Sequence, residues 1–316
     1  MVRLILKRIL QAIPMLVAVS IISFMLIQIA PGDPVSAYIT PESQPADIEL
    51  MREKMGLNDS IITQYLRWSS SLLRGDWGYS YSNHRPVAEQ IVERVPATLM
   101  LMGSALLVSI VSGAFLGVLS AIKPGGWIDR LVSLGSNIAI SIPGFWLAMV
   151  LLYLFSLKLG WLPSIGMRSI GVNTTTDLLK HMIMPVIVLS FQDTAIISRY
   201  VRSRVMEELK EDYVLTEIAY GAKKSDIYFR SVLRNSLLPL ITIVGMSLPR
   251  LLSGAFITES IFGWPGLGQL GINAVLRYDY SMIMATTLIA SGLVILGSLL
   301  ADILYGVIDP RIQELD

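Results

Sequence analysis

Six apolar stretches, each near the length of a bilayer-crossing helix, constrain this chain more than any other feature: Ile9–Ala30, Ala97–Ile122, Leu131–Leu157, Met182–Ile197, about Leu237–Ile257 and Ile283–Ile308. A spanning helix needs roughly 20 mostly apolar residues. Within lipid, only helices and closed barrels satisfy every backbone polar group. Composition points the same way: of 316 residues, 53% are hydrophobic and 16% charged, and the mean hydropathy is +0.61. A soluble fold of this length has too little interior to hide that much apolar surface. The expectation is an all-α integral membrane protein with six transmembrane helices. Pro14 marks a kink in the first, Pro143-Gly144 fall inside the third, and the short fourth carries Pro185 and Asp193.

The basic start Arg3-Leu4-Ile5-Leu6-Lys7-Arg8 resembles a signal peptide. Its apolar run is longer than a usual signal core and no small-residue cleavage site follows, so residues 1–30 read as an uncleaved first span. Lys and Arg concentrate in the segments that are cytoplasmic if the amino end is inside, and both termini are therefore expected in the cytoplasm. The net charge of +1 gives no reason to expect a nucleic-acid partner. The absence of cysteine excludes disulfides, thiolate metal sites and a Cys nucleophile.

Two loops are large. Residues 31–96 form an external insert in which two helices are expected. One is opened by Pro45-Ala46-Asp47 and stopped by Gly56. The other runs from Ser60 to Arg74 with Ile61, Tyr65, Trp68 and Leu72 on one face. Either it caps the outer face as a packing insert or it meets a partner. The core, 97–316, carries the second loop, cytoplasmic residues 198–236. Its mixed charges and helix formers suggest helix, with apolar positions at Val205, Leu209, Tyr213, Leu215, Ile218 and Ala219. Gly221 interrupts, and a second helical stretch leads to Pro239. Two helices bent at Gly221 and held between spans would act as a lever for a docked protein.

The segment Asp212-Tyr213-Val214-Leu215-Thr216-Glu217-Ile218-Ala219-Tyr220-Gly221-Ala222, with Leu233-Arg234-Asn235-Ser236-Leu237-Leu238-Pro239 after it, resembles the EAA loop of binding-protein-dependent ABC importer permeases. It is most similar to the dipeptide, oligopeptide and nickel branch. Ala30-Pro31-Gly32-Asp33-Pro34, Leu73-Arg74-Gly75-Asp76-Trp77-Gly78, Arg85-Pro86-Val87, Glu259-Ser260-Ile261-Phe262-Gly263-Trp264-Pro265-Gly266-Leu267-Gly268 and Asp309-Pro310-Arg311 resemble that branch too. The likeness spans nearly the whole chain. It departs at Glu217-Ile218, where the branch usually shows Ala-Arg, and at Tyr220, where it usually shows Lys. The first departure removes a basic residue from the docking face.

The resemblance implies the six-helix fold of a type I ABC importer permease in a bacterial or archaeal plasma membrane. It implies a second homologous permease, two ATPase subunits and an external solute-binding protein as partners, with peptides as cargo and nickel or oligosaccharides as alternatives. Glu217, Ile218, Ala219, Tyr220, Gly221 and Ala222 would be the docking element, flanked by Arg199 and Arg202, which also fit simple positive-inside anchoring. The chain has no G-x-x-x-x-G-K-[ST] segment, because Gly221-Ala222-Lys223-Lys224-Ser225 lacks the first glycine and the spacing. It is therefore expected to be a transport subunit and not an enzyme, with ATP and Mg on the partner ATPases.

Arg250 falls in the fifth apolar run, where a charge usually faces a bundle interior or cavity. It would line the translocation path or pair with a neighbouring subunit. Glu259 is expected just past that run, near water, as a gate, a subunit contact or a loop residue. Asp193 and Asp302 read as interhelical hydrogen-bonding groups. Residues 256–268 form either a re-entrant dip or a plain external loop. His84 and His181 lack acid or Cys partners at ligand spacing, so no metal site is expected. An ion-coupled secondary transporter would need paired intramembrane charges and inverted repeats, which the sequence does not display.

Overall fold

The computed structural model describes residues 2–29, 35, 44–223, 226–227, 232 and 240–308. Among them the chain is helical, with one isolated antiparallel bridge between Tyr79 and Pro86. The helices are α1 (Val2–Ile29), α2 (Pro45–Met55), α3 (Ile61–Leu73), α4 (Val87–Ile122), α5 (Trp127–Ser141), α6 (Gly144–Leu151, continued by a π-helical stretch Leu152–Lys158), α7 (Thr175–Glu208), α8 (Asp212–Ala219), α9 (Leu240–Ile261), α10 (Leu267–Leu276) and α11 (Tyr280–Ile308). Among the described residues, four helices are long and apolar enough to cross a bilayer: α1, α4, α7 and α11. A fifth is added if α5 and α6 count as one span.

Three spans differ from the expectation. The third is two helices meeting at 103°. Ile142 adopts φ −83°, ψ 124° ahead of Pro143, because the proline ring disfavours helical backbone before it. The Ile142 carbonyl accepts a hydrogen bond from Gln192 Nε2 on α7 at 3.1 Å. The fourth span is far longer than Met182–Ile197. With 34 residues, α7 is about 51 Å long at 1.5 Å per residue, well beyond the roughly 30 Å hydrocarbon core. Its last turns, Arg199–Glu208, therefore belong to the spanning helix and do not begin a separate loop. The second span starts at Val87, and Pro96 lies inside it without breaking it. The insert helices fall where expected, and Ser60 caps α3 by accepting from the Thr63 amide at 3.2 Å.

The chain divides into two compact units. One comprises residues 1–5, 99–264 and 296–316, the other 6–98 and 265–295. In the first unit α7 packs against α5, α6 and α9. It also lies against α4 along Gly113, Gly117 and Ala121, one small residue per turn. A Cβ at Gly117 would stand 2.7 Å from the Ser198 carbonyl oxygen, and one at Gly113 2.7 Å from Ile197 Cβ. Small residues at this spacing let two membrane helices approach by backbone. Ser112 and Thr194 hydroxyls pair across the same contact at 3.0 Å.

In the second unit, Val87 and Ile91 of α4 pack with Leu267 and Ala274 of α10 and with Met282 and Ala285 of α11. The buried Asp279 carboxylate caps α11 through the Met282 amide at 3.3 Å. It also accepts from the Tyr81 amide at 3.1 Å, from the Ser82 amide and hydroxyl, and from the Ser80 hydroxyl. The Gly75–Pro86 segment is thereby fastened to the start of α11.

Candidate functional site

The segment expected to dock a partner is built at the end of α7. Val201 and Val205 of that helix are buried with Val118 and Ala121 of α4. A three-residue turn, Leu209–Glu211, then leads to α8. The turn is closed by the Leu209 amide donating to the Val205 carbonyl at 3.0 Å and by Tyr213 Oη donating to Glu208 Oε2 at 2.7 Å. Val214 is fully buried in the same apolar cluster, so one face of this eight-residue helix is anchored. The stripe beside it is apolar yet open. Leu215 is 57%, Ile218 56% and Tyr220 89% exposed, and Ala219 and Ala222 are exposed beside them. Leu215, Ile218 and Ala219 share one helical stripe by their spacing, and Ala222 follows just past the helix end. Glu217 sits half-buried on the flank.

Gly221 ends the helix. Its amide donates to the Ile218 carbonyl and the Ala222 amide to the Glu217 carbonyl, both at 3.0 Å. This pair of bonds is the Schellman motif, which needs a left-handed residue, and Gly221 has φ +80°. Gly221 is thus a helix stop in this structure. The second helical stretch expected between 227 and 238 lies mostly outside the described residues. Ile227 and Val232 are buried with Val214.

The flanking arginines have different surroundings. Arg199 is exposed. Arg202 forms a two-pronged ion pair with Asp129 near the start of α5, with Nε–Oδ1 at 2.6 Å and the second N–O contact at 2.7 Å. Asp129 is buried and accepts further bonds from Ser120 Oγ of α4 and the Gly125 amide. The paired guanidinium and carboxylate suit a geometry-specific joint. This cluster ties α4, α5 and α7 together. The sequence reading missed Asp129. Its cue is weak, an acid in a helix's first turn beside Gly125-Gly126, and nothing in the sequence pairs it with a residue 73 positions away.

Of the two pathway candidates, Arg250 lies on α9 with its side chain outside the described residues, as does the side chain of Asp302 on α11. Glu259 corrects an expectation. It is fully buried within the last turns of α9 and does not lie in a watery loop. The helix runs past the apolar stretch because its stop comes later, at Gly263 (φ +58°), where the Trp264 amide donates to the Glu259 carbonyl at 2.8 Å. The 256–268 region is therefore the end of α9, a buried turn and the start of α10. Phe262, Trp264 and Leu267 are all buried. The turn's polar groups are met by the Gly166 amide on the Phe262 carbonyl and, in the second unit, by Thr98 Oγ1 on the Leu267 amide, both at 2.8 Å.

A cavity of about 280 Å³ opens at the α5–α6 break, lined by Gly144, Phe145, Gln192, Asp193, Leu251 and Thr258 among others. Asp193 is buried on α7. His181 bonds the Gly166 carbonyl through Nδ1 at 2.8 Å. Among the described residues no three His, Asp or Glu side chains converge as metal ligands.

Comparison with known proteins bears on the family and the fold. The family described as "Binding-protein-dependent transport system inner membrane component" matches residues 113–314, and the N-terminal region of such membrane components matches residues 1–102. The oligopeptide transport system permease protein AppB of Bacillus subtilis is 40% identical over 311 residues, 98% of each chain. The glutathione transport system permease protein GsiC of Escherichia coli is 34% identical over 99% of each chain. A structure of the MetNI methionine ABC transporter in an inward-facing conformation has the same fold. It gives a TM-score of 0.58 at 21% identity, over 70% of this chain and 97% of the other.

Proposed function

The chain belongs to the family of binding-protein-dependent transport system inner membrane components, as a permease subunit of an ABC importer, and from that premise we propose that it passes di- or oligopeptides across a bacterial or archaeal plasma membrane. Family membership sets aside the ion-coupled secondary transporter. The cargo is delivered by an external solute-binding protein, and the pore is shared with a second homologous permease. Two ATPase subunits, which bind ATP and Mg, dock on Glu217–Ala222, and both termini are cytoplasmic. The division into residues 1–30, an external insert 31–96 and a core 97–316 belongs to the same reading. Arg250 and Glu259 are its candidate pathway residues, with the cavity beside Gln192 and Asp193 on the route.

The observation that carries this reading is the open apolar stripe of α8, on a helix anchored through the buried Val214. A free helix could not transmit a displacement. This one is joined to α7 by Val214 and the Tyr213–Glu208 bond, and α7 is joined to α5 by Arg202–Asp129. A nucleotide-driven movement of the docked ATPase would carry α7 and α5 with it, because packed interfaces shift between discrete arrangements more readily than they stretch. The direction of transport then follows from whichever permease state the closed ATPase pair binds more tightly.

The test is co-purification of the ATPase subunits with Ile218→Asp, which alters only an exposed position. The expected result is loss of the ATPases with the permease still folded and in the membrane. Retained ATPases, or uptake by the chain alone without ATP, would overturn the proposal.

A further inference from the structure

We propose that α3 is not a water-facing cap but lies in the lipid leaflet that receives the carboxyl end of α1, with Ile62, Leu66 and Leu73 against acyl chains. The helix divides into three arcs at 100° per residue. One arc is Tyr65, Trp68 and Gln64, and it is occupied. Tyr65 Oη hydrogen-bonds Ser20 Oγ at 2.9 Å, and its ring meets Phe24 edge-on at 5.5 Å. Trp68 lies 6.3 Å from Phe24, and Gln64 bonds Gln28 at 3.1 Å. A second arc is polar: Thr63, Arg67, Ser70 and Ser71. Arg67 is the only charged residue on the helix and is paired with Asp59 at 2.5 Å. The third arc, between them, is apolar and open, with Ile62 71%, Leu66 60% and Leu73 89% exposed.

What covers that arc follows from where α3 is docked. Its partners Ser20, Phe24 and Gln28 lie in the apolar run of α1, whose own neighbouring side chains Ile22, Met25, Leu26 and Ile29 are exposed. Ser20 precedes Ile29 by nine residues, about 14 Å of helix at 1.5 Å per residue. Half of the hydrocarbon core is about 15 Å. If α1 ends at the boundary, α3 therefore lies between the interface, where Gln64 meets Gln28, and the hydrocarbon, where Tyr65 meets Ser20, and its open apolar arc continues the exposed apolar surface of α1. In water, three such side chains on one arc would form an exposed apolar patch. A helix with a sharply divided apolar and polar surface suits the boundary between lipid and water.

The chain has no cysteine, so single-cysteine variants can be spin-labelled without background removal. Ile62→Cys, Leu66→Cys, Leu73→Cys and, on the polar arc, Thr63→Cys are each prepared in the full chain. They are reconstituted into phosphatidylcholine vesicles with the subunits that co-purify. Collision with molecular oxygen, which concentrates in lipid, is compared with collision with a water-soluble nickel chelate. The expected result is several-fold greater oxygen than nickel accessibility at 62, 66 and 73, with the order reversed at 63. Nickel collision at the three apolar positions equal to that at 63 would place the arc in water. Exclusion of both reagents would place it under protein. Either result overturns the proposal. The three positions are exposed and independent, so failure of one variant to assemble leaves two that read the same arc. Neither result depends on the cargo or on the ATPase contact.

Discussion

Replacing Gly117 with alanine is the sharpest test of how the helices of the first unit are held. The new Cβ would stand 2.7 Å from the Ser198 carbonyl oxygen and 2.8 Å from Val201 Cβ, where ordinary contact begins at 3.4 Å. The nearest atom is backbone, so no rotamer change can relieve it. The contact is restored only if α4 and α7 separate by about 0.7 Å, the difference between those two distances. Overpacking of this kind costs about 1–3 kcal/mol. Alanine's better helix propensity returns at most about 1 kcal/mol. Gly103 supplies the control, because it lies on the same helix with nothing within 4 Å of its would-be Cβ. Gly103→Ala keeps the propensity gain without the clash. Thermal midpoints of the detergent-solubilised complex, read by fluorescence-detected size exclusion, are expected to fall for Gly117→Ala and to hold or rise for Gly103→Ala. Equal midpoints for the two variants would refute the claim that backbone approach at Gly117 sets the α4–α7 distance.

Other positions make separate predictions. Asp129→Asn is expected to destabilise by roughly 1–3 kcal/mol, less than for a fully buried pair because the Arg202 side chain is 30% exposed. Adding Arg202→Gln should recover part of that loss, and strict additivity in the double-mutant cycle would show that the two groups do not interact. Asp279→Ala removes the acceptor for Ser80, Tyr81, Ser82 and Met282. Faster amide exchange at residues 80–83 is expected, and unchanged protection there would mean that the loop is held by other contacts. Gly221→Ala forces a Cβ into a left-handed conformation at a cost of about 1–2 kcal/mol, whereas asparagine tolerates it. ATPase co-purification is therefore expected to weaken for Gly221→Ala and to be largely kept for Gly221→Asn. Equal retention by both would count against the helix stop as part of the docking element.

Much was legible in the residue order because it depends on local chemistry. Runs of apolar residues near bilayer length give membrane helices whatever they pack against. Ser60 and Gly56 bracket the insert helices by capping chemistry, and Gly221 was readable as an interruption, expected as a bend between two helices and found as a helix stop. Its exposed stripe was only half legible. Spacing placed Leu215 and Ile218 among the apolar positions, but no periodicity says that Val214 turns inward and they do not. The same applies to length, since α7 passes Ile197 without interruption because nothing between it and Lys210 stops a helix.

Tertiary structure decided whatever depends on two distant segments meeting. The pairing of Asp129 with Arg202, and of Asp279 with the Ser80–Ser82 turn, joins residues far apart in the chain. Neither has a local signature, because a carboxylate's partner is set by the fold. Gly113 and Gly117 could be loose positions in a lipid-facing helix until α7 is seen lying against them. Pro143-Gly144 read as lying inside one continuous span, whereas the chain turns by 103° there and Gln192 on another helix satisfies the carbonyl of Ile142. Burial of Glu259 likewise follows from where α9 stops and what folds over it. Residue order carries the physics of one helix at a time. Which faces meet, and so which polar groups find partners away from water, is a property of the assembled chain.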